Sequence, residues 1–200
     1  MSAQLERYKK IQEMYHFTDS EIQQLHYGVS ILWYECSKFI LLGIILGLLG
    51  RFQEYMITIL VLLPLRIFSG GIHFNHYLSC FLFTGVFIAC PIYLQNMVSM
   101  PESGQLLLLL VCLITTAIVG PVASKKRPPL SRERYRLFRR ITCGLLLLYI
   151  ILFGIVRTFP GENICLLVIV LQTIQLLCAK MVRKGELHEK NNKRSTLQDV

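Results

Sequence analysis

A short polar stretch between two apolar blocks carries residue types that can do chemistry together. It reads RIFSGGIHFNHYLSC from Arg66 to Cys80 and contains an Arg, a Gly pair, two His and a Cys. Polar groups at membrane depth are costly unless they face other protein groups or a watery cavity, so such a cluster indicates function. Because an imidazole in contact with a thiol stabilises the thiolate, the pattern suggests a Cys nucleophile with a His base.

The spacing of His73 and Cys80 restricts the backbone conformations that would let them act as a pair. On a regular helix, residues seven apart share a face but lie two turns, about 10.5 Å, apart along the axis. Direct proton transfer requires roughly 3 Å between heavy atoms. A helix therefore cannot run through both residues if they act as a pair, and we expect Gly70 and Gly71 to let the chain turn back before Cys80.

Other interpretations of this stretch stay open. His76, one helical turn before Cys80, is a second-choice base. His73, His76 and Cys80 also have a spacing that three metal ligands can use, although the sequence offers no obvious fourth ligand nearby. In a purely structural role, the Gly pair forms a turn and Arg66 snorkels to the membrane interface. Our first expectation is a site with neither metal nor cofactor.

The chain around this stretch has the composition of a helical membrane protein. Of its 200 residues, 54% are hydrophobic and 16% charged, whereas charged residues make up roughly a quarter of a soluble globular sequence. A membrane-spanning helix needs about 20 mainly apolar residues. We therefore predict an all-α polytopic membrane protein with six transmembrane helices, near residues 31–50, 55–68, 77–94, 106–123, 141–156 and 164–182.

The basic residues predict the orientation of these spans. Lys and Arg concentrate between the fourth and fifth apolar blocks and again after the sixth, so both segments are predicted to be cytoplasmic. Alternation then places both termini, and the stretch that contains His73, on the cytoplasmic side. The net charge of +9 needs no nucleic acid as a partner, although anionic membrane lipids or an acidic peptide would be attracted to that surface.

The chain is predicted to form one membrane domain over residues 1–185, with a polar cytoplasmic tail over residues 186–200. We expect no signal peptide in residues 1–30 and predict that they form an amphipathic segment that leads into the first span. Thr18 and Glu21 have the spacing of a capping box at the start of a helix. The seven Cys are dispersed without a CxxC pair, so most are predicted to be small packing residues.

Two motifs resemble the accessory gene regulator protein B family, AgrB, whose members are membrane peptidases that process quorum-sensing propeptides in Gram-positive bacteria. One motif is similar to the family's Arg, Gly-rich turn, His and seven-later Cys; it consists of Arg66, Gly70, Gly71, His73 and Cys80. The other, which begins at Gly120 and Pro121, is similar to the family's turn into a basic loop. The order of the motifs, their spacing and the hydropathy profile fit the family over nearly the whole chain. One departure is Phe74, where the family pattern leads us to expect a small residue after the His.

The resemblance implies a cysteine endopeptidase of the bacterial cell membrane, with Cys80 as nucleophile and His73 as base. Its substrate would be an AgrD-like propeptide with an amphipathic leader, a central Cys or Ser and a charged, usually acidic, tail. Removal of the tail on the cytoplasmic side would leave the leader and core as a thioester, which the internal Cys or Ser closes to a thiolactone or lactone. A homodimer is implied as well.

Chemistry suggests supporting roles for other residues. An oxyanion needs hydrogen-bond donors, for which Gly70 and Gly71 backbone N–H groups or the Arg66 guanidinium are candidates, and Asn75 could orient an imidazole. A second role of the basic loop is to dock the acidic tail of the substrate; its residues are Lys125, Lys126, Arg127, Arg132 and Arg134. The alternative from another class is a small membrane transporter or channel subunit, with Arg66, His73 and His76 lining a path.

Overall fold

The computed structural model describes residues 18–71, 76–98, 100–122, 131–155 and 161–198. Over these residues the chain forms six α-helices, and they contain no β-strand beyond one isolated bridge. The helices are α1 (Asp19–Leu48), α2 (Phe52–Ser69), α3 (Tyr77–Leu94), α4 (Glu102–Val119), α5 (Arg132–Ile155) and α6 (Glu162–Gln198). The all-α prediction is therefore confirmed.

Five of these helices, α2 to α6, are long and apolar enough to cross a membrane. The short second block becomes a helix of 18 residues because Phe52, Gln53 and Glu54 extend it at its N-terminus and Ser69 at its C-terminus. Pro64 lies inside this helix. Arg51 Nη1 lies 2.8 Å from Glu54 Oε1 at this start. The hydrogen bond and charge of Glu54 raise the pKa of Arg51. The guanidinium therefore stays charged beside the first turn of α2.

Helix α1 begins directly after Thr18, as the capping-box pattern predicts. It continues for 30 residues without a break, so the end of the predicted amphipathic segment and the first apolar block form one helix. Lys38 Nζ and Glu35 Oε1 form an ion pair one turn apart along it, at 2.6 Å. The first predicted span, near residues 31–50, stays a prediction, as does the cytoplasmic location of both termini.

The chain divides into two compact units, Met1–Leu49 with α1 and Gly50–Val200 with the other five helices. In the second unit, α6 is the central helix and packs against α2, α3 and α4, while α5 packs against α2 and α4. Leu62 of α2, Ile88 of α3 and Ile169 of α6 are almost completely buried in this bundle. Many apolar side chains on its outside are exposed, as lipid contact requires.

The two ends of this bundle are joined by different contacts. At one end, the side-chain amide of Asn163 at the start of α6 donates to the carbonyl oxygens of Gln95 and Val98, both at 3.1 Å. The other end, here called the turn end, contains Gly70, Gly71 and Gly120 to Val122, with the first turns of α3 and α5 and the part of α6 from Gln172 to Lys180. Of the residues predicted to do chemistry, Arg66, Gly70, Gly71 and Cys80 belong to the turn end.

Candidate functional site

The turn end is built where α2 and α4 stop and pair with each other. Gly70 ends α2 with φ 77° and ψ −153°, a conformation that essentially only Gly adopts. The Val122 N–H donates to the Ser69 carbonyl oxygen at 2.9 Å, and Gly70 and Val122 form an isolated parallel bridge. A Cβ on Gly70 would overlap the Val122 carbonyl oxygen. The two motifs noted in the sequence, some fifty residues apart, are therefore in direct contact.

The second turn also closes over a small residue. Gly120 ends α4 with φ 69° and ψ 177°, and Tyr135 in the first turn of α5 lies against it, so that a Cβ on Gly120 would be 2.8 Å from Tyr135 Cζ. Lys180 of α6 donates to the Val119 carbonyl oxygen at 2.8 Å and to that of Ile118 at 3.4 Å. A cation at the carbonyl end of α4 also complements the helix dipole.

Two glutamines of α6 contact the Gly70–Gly71 turn. Gln172 Nε2 donates to Ser69 Oγ at 2.9 Å and to the Gly70 carbonyl oxygen at 3.1 Å. One turn later, the Gln175 amide lies over Gly71, because a Cβ built there would be 3.0 Å from Gln175 Nε2. Both side chains are buried, each only 4% exposed. The central helix therefore fixes the turn through polar groups as well as through packing.

Cys80 lies in the first turn of α3 and is buried, with 5% of its surface exposed. Its backbone N–H donates to the His76 carbonyl oxygen at 3.1 Å. His76 is the N-cap residue, has an extended backbone and is exposed. Since α3 begins only at Tyr77, His76 lies just outside the helix that carries Cys80. The thiol is thus held in the first turn of a helix.

The structure describes only some of the other predicted site residues. Arg66 lies in the last turn of α2 and is 8% exposed, so its side chain is buried and does not snorkel to the surface. His73, Phe74 and Asn75 lie outside the described residues. The dyad, and the metal-ligand alternative that includes His73, therefore stay predictions.

Part of the predicted basic docking surface can be described. Lys125, Lys126 and Arg127 lie outside the described residues, whereas Arg132 and Arg134 are exposed in the first turn of α5. Ser131 caps this helix, since its Oγ accepts the Arg134 N–H at 3.3 Å. These two arginines and the Lys180 cap belong to the same end of the bundle as the Gly70 turn.

Sequence reasoning did not single out Ser69, Gln172, Gln175 or Lys180. A signal was available for the two glutamines, because they lie three residues apart in an otherwise apolar block and so share a helix face. Polar side chains inside a membrane helix usually hydrogen-bond to neighbouring helices. Lys180 gave no such signal, because basic residues at the end of a span are explained by orientation alone.

Burial does not distinguish Cys80 from the other thiols. None of the seven Cys, which all belong to the described residues, forms a disulfide, and Cys112 and Cys165 are buried as well. Cys112 lies within α4, and Cys165 lies in the first turn of α6, at the end opposite to the Gly70 turn. Only the position of Cys80 combines a helix start with the turn end.

Comparison with known proteins agrees with these motifs. The family described as Accessory gene regulator B matches residues 3–176. This chain belongs to the accessory gene regulator B family. A putative AgrB-like protein 1 from Clostridium perfringens (strain 13 / Type A) is 30% identical over 112 residues, which is 56% of this chain and 59% of that relative. No solved structure matches the chain.

The family assignment confirms the resemblance that the two motifs carry. The matched region includes α2 to α4 and all of the turn end that precedes residue 177, with Gln172 and Gln175. The match to the Clostridium relative spans 59% of that protein's length.

Proposed function

We propose that this protein is a membrane cysteine endopeptidase that removes the C-terminal tail of an AgrD-like quorum-sensing propeptide and leaves the remainder ready to cyclise. The observation that carries the proposal is the position of Cys80, buried in the first turn of α3 at the end of the bundle that contains the Gly70 turn. Membership of the accessory gene regulator B family supports the same activity.

In the first step, the Cys80 thiolate attacks the carbonyl carbon of the scissile peptide bond. The C–N bond then breaks, the leaving amine takes the proton that His73 had accepted from the thiol, and the leader-core portion stays on Cys80 as a thioester. The first amide N–H groups of a helix have no acceptor within the helix. Those of Leu78 and Ser79 belong to the same turn as Cys80 and are candidates to stabilise the oxyanion, beside the Gly70, Gly71 and Arg66 donors proposed from the sequence.

In the second step, a Cys thiol or Ser hydroxyl of the peptide attacks the thioester carbonyl. Its proton passes to His73, the C–S bond to Cys80 breaks, and the ring closes as a thiolactone or lactone. No water is consumed in this sequence, so the acyl group must be shielded from hydrolysis until the internal nucleophile arrives. The 5% exposure of Cys80 supports such shielding.

The same proposal places the site on the cytoplasmic side of the bacterial cell membrane. It is supported by Arg132, Arg134 and Lys180, which belong to the turn end, because basic residues favour the cytoplasmic side. They would also attract an acidic substrate tail and anionic lipid headgroups. Assembly as a homodimer belongs to this proposal as well.

The test is co-expression with the propeptide encoded beside the gene, followed by mass spectrometry of the peptide. The wild type is expected to remove the tail and to yield a product lighter by one water than the linear core, whereas Cys80→Ala and His73→Ala yield neither. Cys112→Ala is the matched control, since it removes another buried thiol and is expected to retain processing. Processing that survives Cys80→Ala would overturn Cys80 as the nucleophile, whereas no processing by the wild type would favour a transporter or channel.

A further inference from the structure

The glutamines of α6 differ in how their amides are satisfied. Gln172 uses its amide nitrogen for two hydrogen bonds to Ser69 and Gly70. In the part of the chain that the structure describes, neither amide atom of Gln175 has a hydrogen-bond partner, although both are buried. Leaving such a group unpaired destabilises the folded protein, because its hydration is lost without replacement. A buried amide with both its donor and its acceptor unused is therefore expected to serve a ligand.

We propose that the Gln175 amide binds the main chain of the peptide substrate beside Gly71. A carboxamide offers one N–H donor side and one C=O acceptor, which matches the C=O and N–H of a peptide group. Gln175 is uncharged, so it can pair with a neutral peptide group without leaving a net charge buried at the site. Its amide lies over Gly71, beside the end of α2, at the same end of the bundle as the first turn of α3 with Cys80.

The two glutamines then have separate roles one helical turn apart. Gln172 is a positioning residue that holds the Gly70 turn through hydrogen bonds present without substrate. Gln175 forms its hydrogen bonds only when the peptide arrives, after its flexible side chain moves to admit the peptide. This inference rests on the proposed function, because it assumes that the substrate is a peptide bound at the turn end.

The division of roles predicts opposite effects on stability and binding. Gln175→Met keeps the length of the side chain but removes an unsatisfied amide, and such a replacement by an apolar group of the same shape is neutral or stabilising. Gln172→Met removes two formed hydrogen bonds and therefore lowers stability. We expect Gln175→Met to unfold at the same or a higher temperature than the wild type and Gln172→Met to unfold at a lower one.

The binding experiment uses the full chain in detergent with Cys80→Ala, so that no chemistry intervenes. The probe is the full-length propeptide encoded beside the gene, labelled with fluorescein on its leader, and its Kd is read from anisotropy. Adding Gln175→Met is expected to raise Kd about tenfold, the loss of one to two hydrogen bonds. With Cys80 intact, Gln175→Met is expected to raise KM by a similar factor and to change kcat less than about twofold.

Gln105→Met is the matched control. Gln105 is also a buried glutamine, but it lies near the start of α4, about 20 Å along that helix from Val119, and it is expected to leave Kd and KM unchanged. An unchanged Kd in the Gln175→Met variant, or a loss of stability as large as that of Gln172→Met, would overturn the inference. If the wild type binds but does not cleave the propeptide, the proposed function fails while the Kd comparison still decides the role of Gln175.

Discussion

Replacing Gly70 tests whether the turn end depends on the close approach of α2 and α4. In Gly70→Ala the new Cβ overlaps the Val122 carbonyl oxygen, and it lies 3.2 Å from the Val122 carbonyl carbon. The methyl group also forces a side chain into a left-handed backbone conformation, at φ 77°. Val122 must therefore shift, and the hydrogen bond from its N–H to the Ser69 carbonyl oxygen breaks.

The expected loss of stability is the sum of these effects. Left-handed backbone costs about 1–2 kcal/mol for a residue with a Cβ, and the lost hydrogen bond contributes about 0.5–1.5 kcal/mol. With residual crowding against Val122, Gly70→Ala is expected to lower the free energy of unfolding by about 2–4 kcal/mol. Cleavage of the propeptide is expected to fall with it, because Gly70 precedes the chain that carries His73.

Gly50→Ala is the control that separates the effect of the Gly70–Val122 contact from the effect of backbone strain at positive φ. Gly50 has φ 71°, but a Cβ there would meet nothing within 4 Å, so only the strain remains and the expected loss is about 1 kcal/mol. Unfolding is followed in dodecylmaltoside with increasing SDS, by far-ultraviolet circular dichroism. If Gly70→Ala is no less stable than Gly50→Ala, the close contact between the two turns is refuted.

Two further predictions concern the basic residues of the turn end. Lys180→Met removes the hydrogen bonds to the end of α4 and is expected to lower the free energy of unfolding by about 1 kcal/mol; an unchanged SDS midpoint would contradict the cap. In the Arg132→Gln, Arg134→Gln double variant, kcat/KM for a propeptide with an acidic tail is expected to fall about threefold at 50 mM NaCl and to match the wild type at 0.5 M, because salt screens exposed charges. A loss that is independent of salt in proteoliposomes would argue against docking of the tail.

The sequence predicted the helices well wherever hydropathy determined them. α3 has the predicted bounds 77–94. α5 instead begins at Arg132, nine residues before the predicted start, because its first turns are basic and exposed. A hydropathy pattern ends where the apolar residues end, whereas a capped helix continues into water. For the same reason the second block proved longer than its apolar core.

The pairing within the site was less accessible to sequence reasoning. The Gly70 and Gly120 motifs were each recognised, but nothing in their spacing predicts that Ser69 and Val122 hydrogen-bond to each other. Gln172 and Gln175 lie about a hundred residues from the turn they contact. Contacts of such long range depend on how helices pack, and periodicity within one helix reports only which face is buried.

The central claim is that Cys80 carries the peptide during the reaction, and the most direct test is to detect that bond. The purified protein is mixed with a propeptide whose internal Cys is replaced by Ala, so that the ring cannot close, and its intact mass is measured. We predict a mass increase equal to the leader-core portion, mapped to Cys80 and removed by hydroxylamine, which cleaves thioesters. Release of the tail without such an adduct, or an adduct on another Cys, would contradict the account.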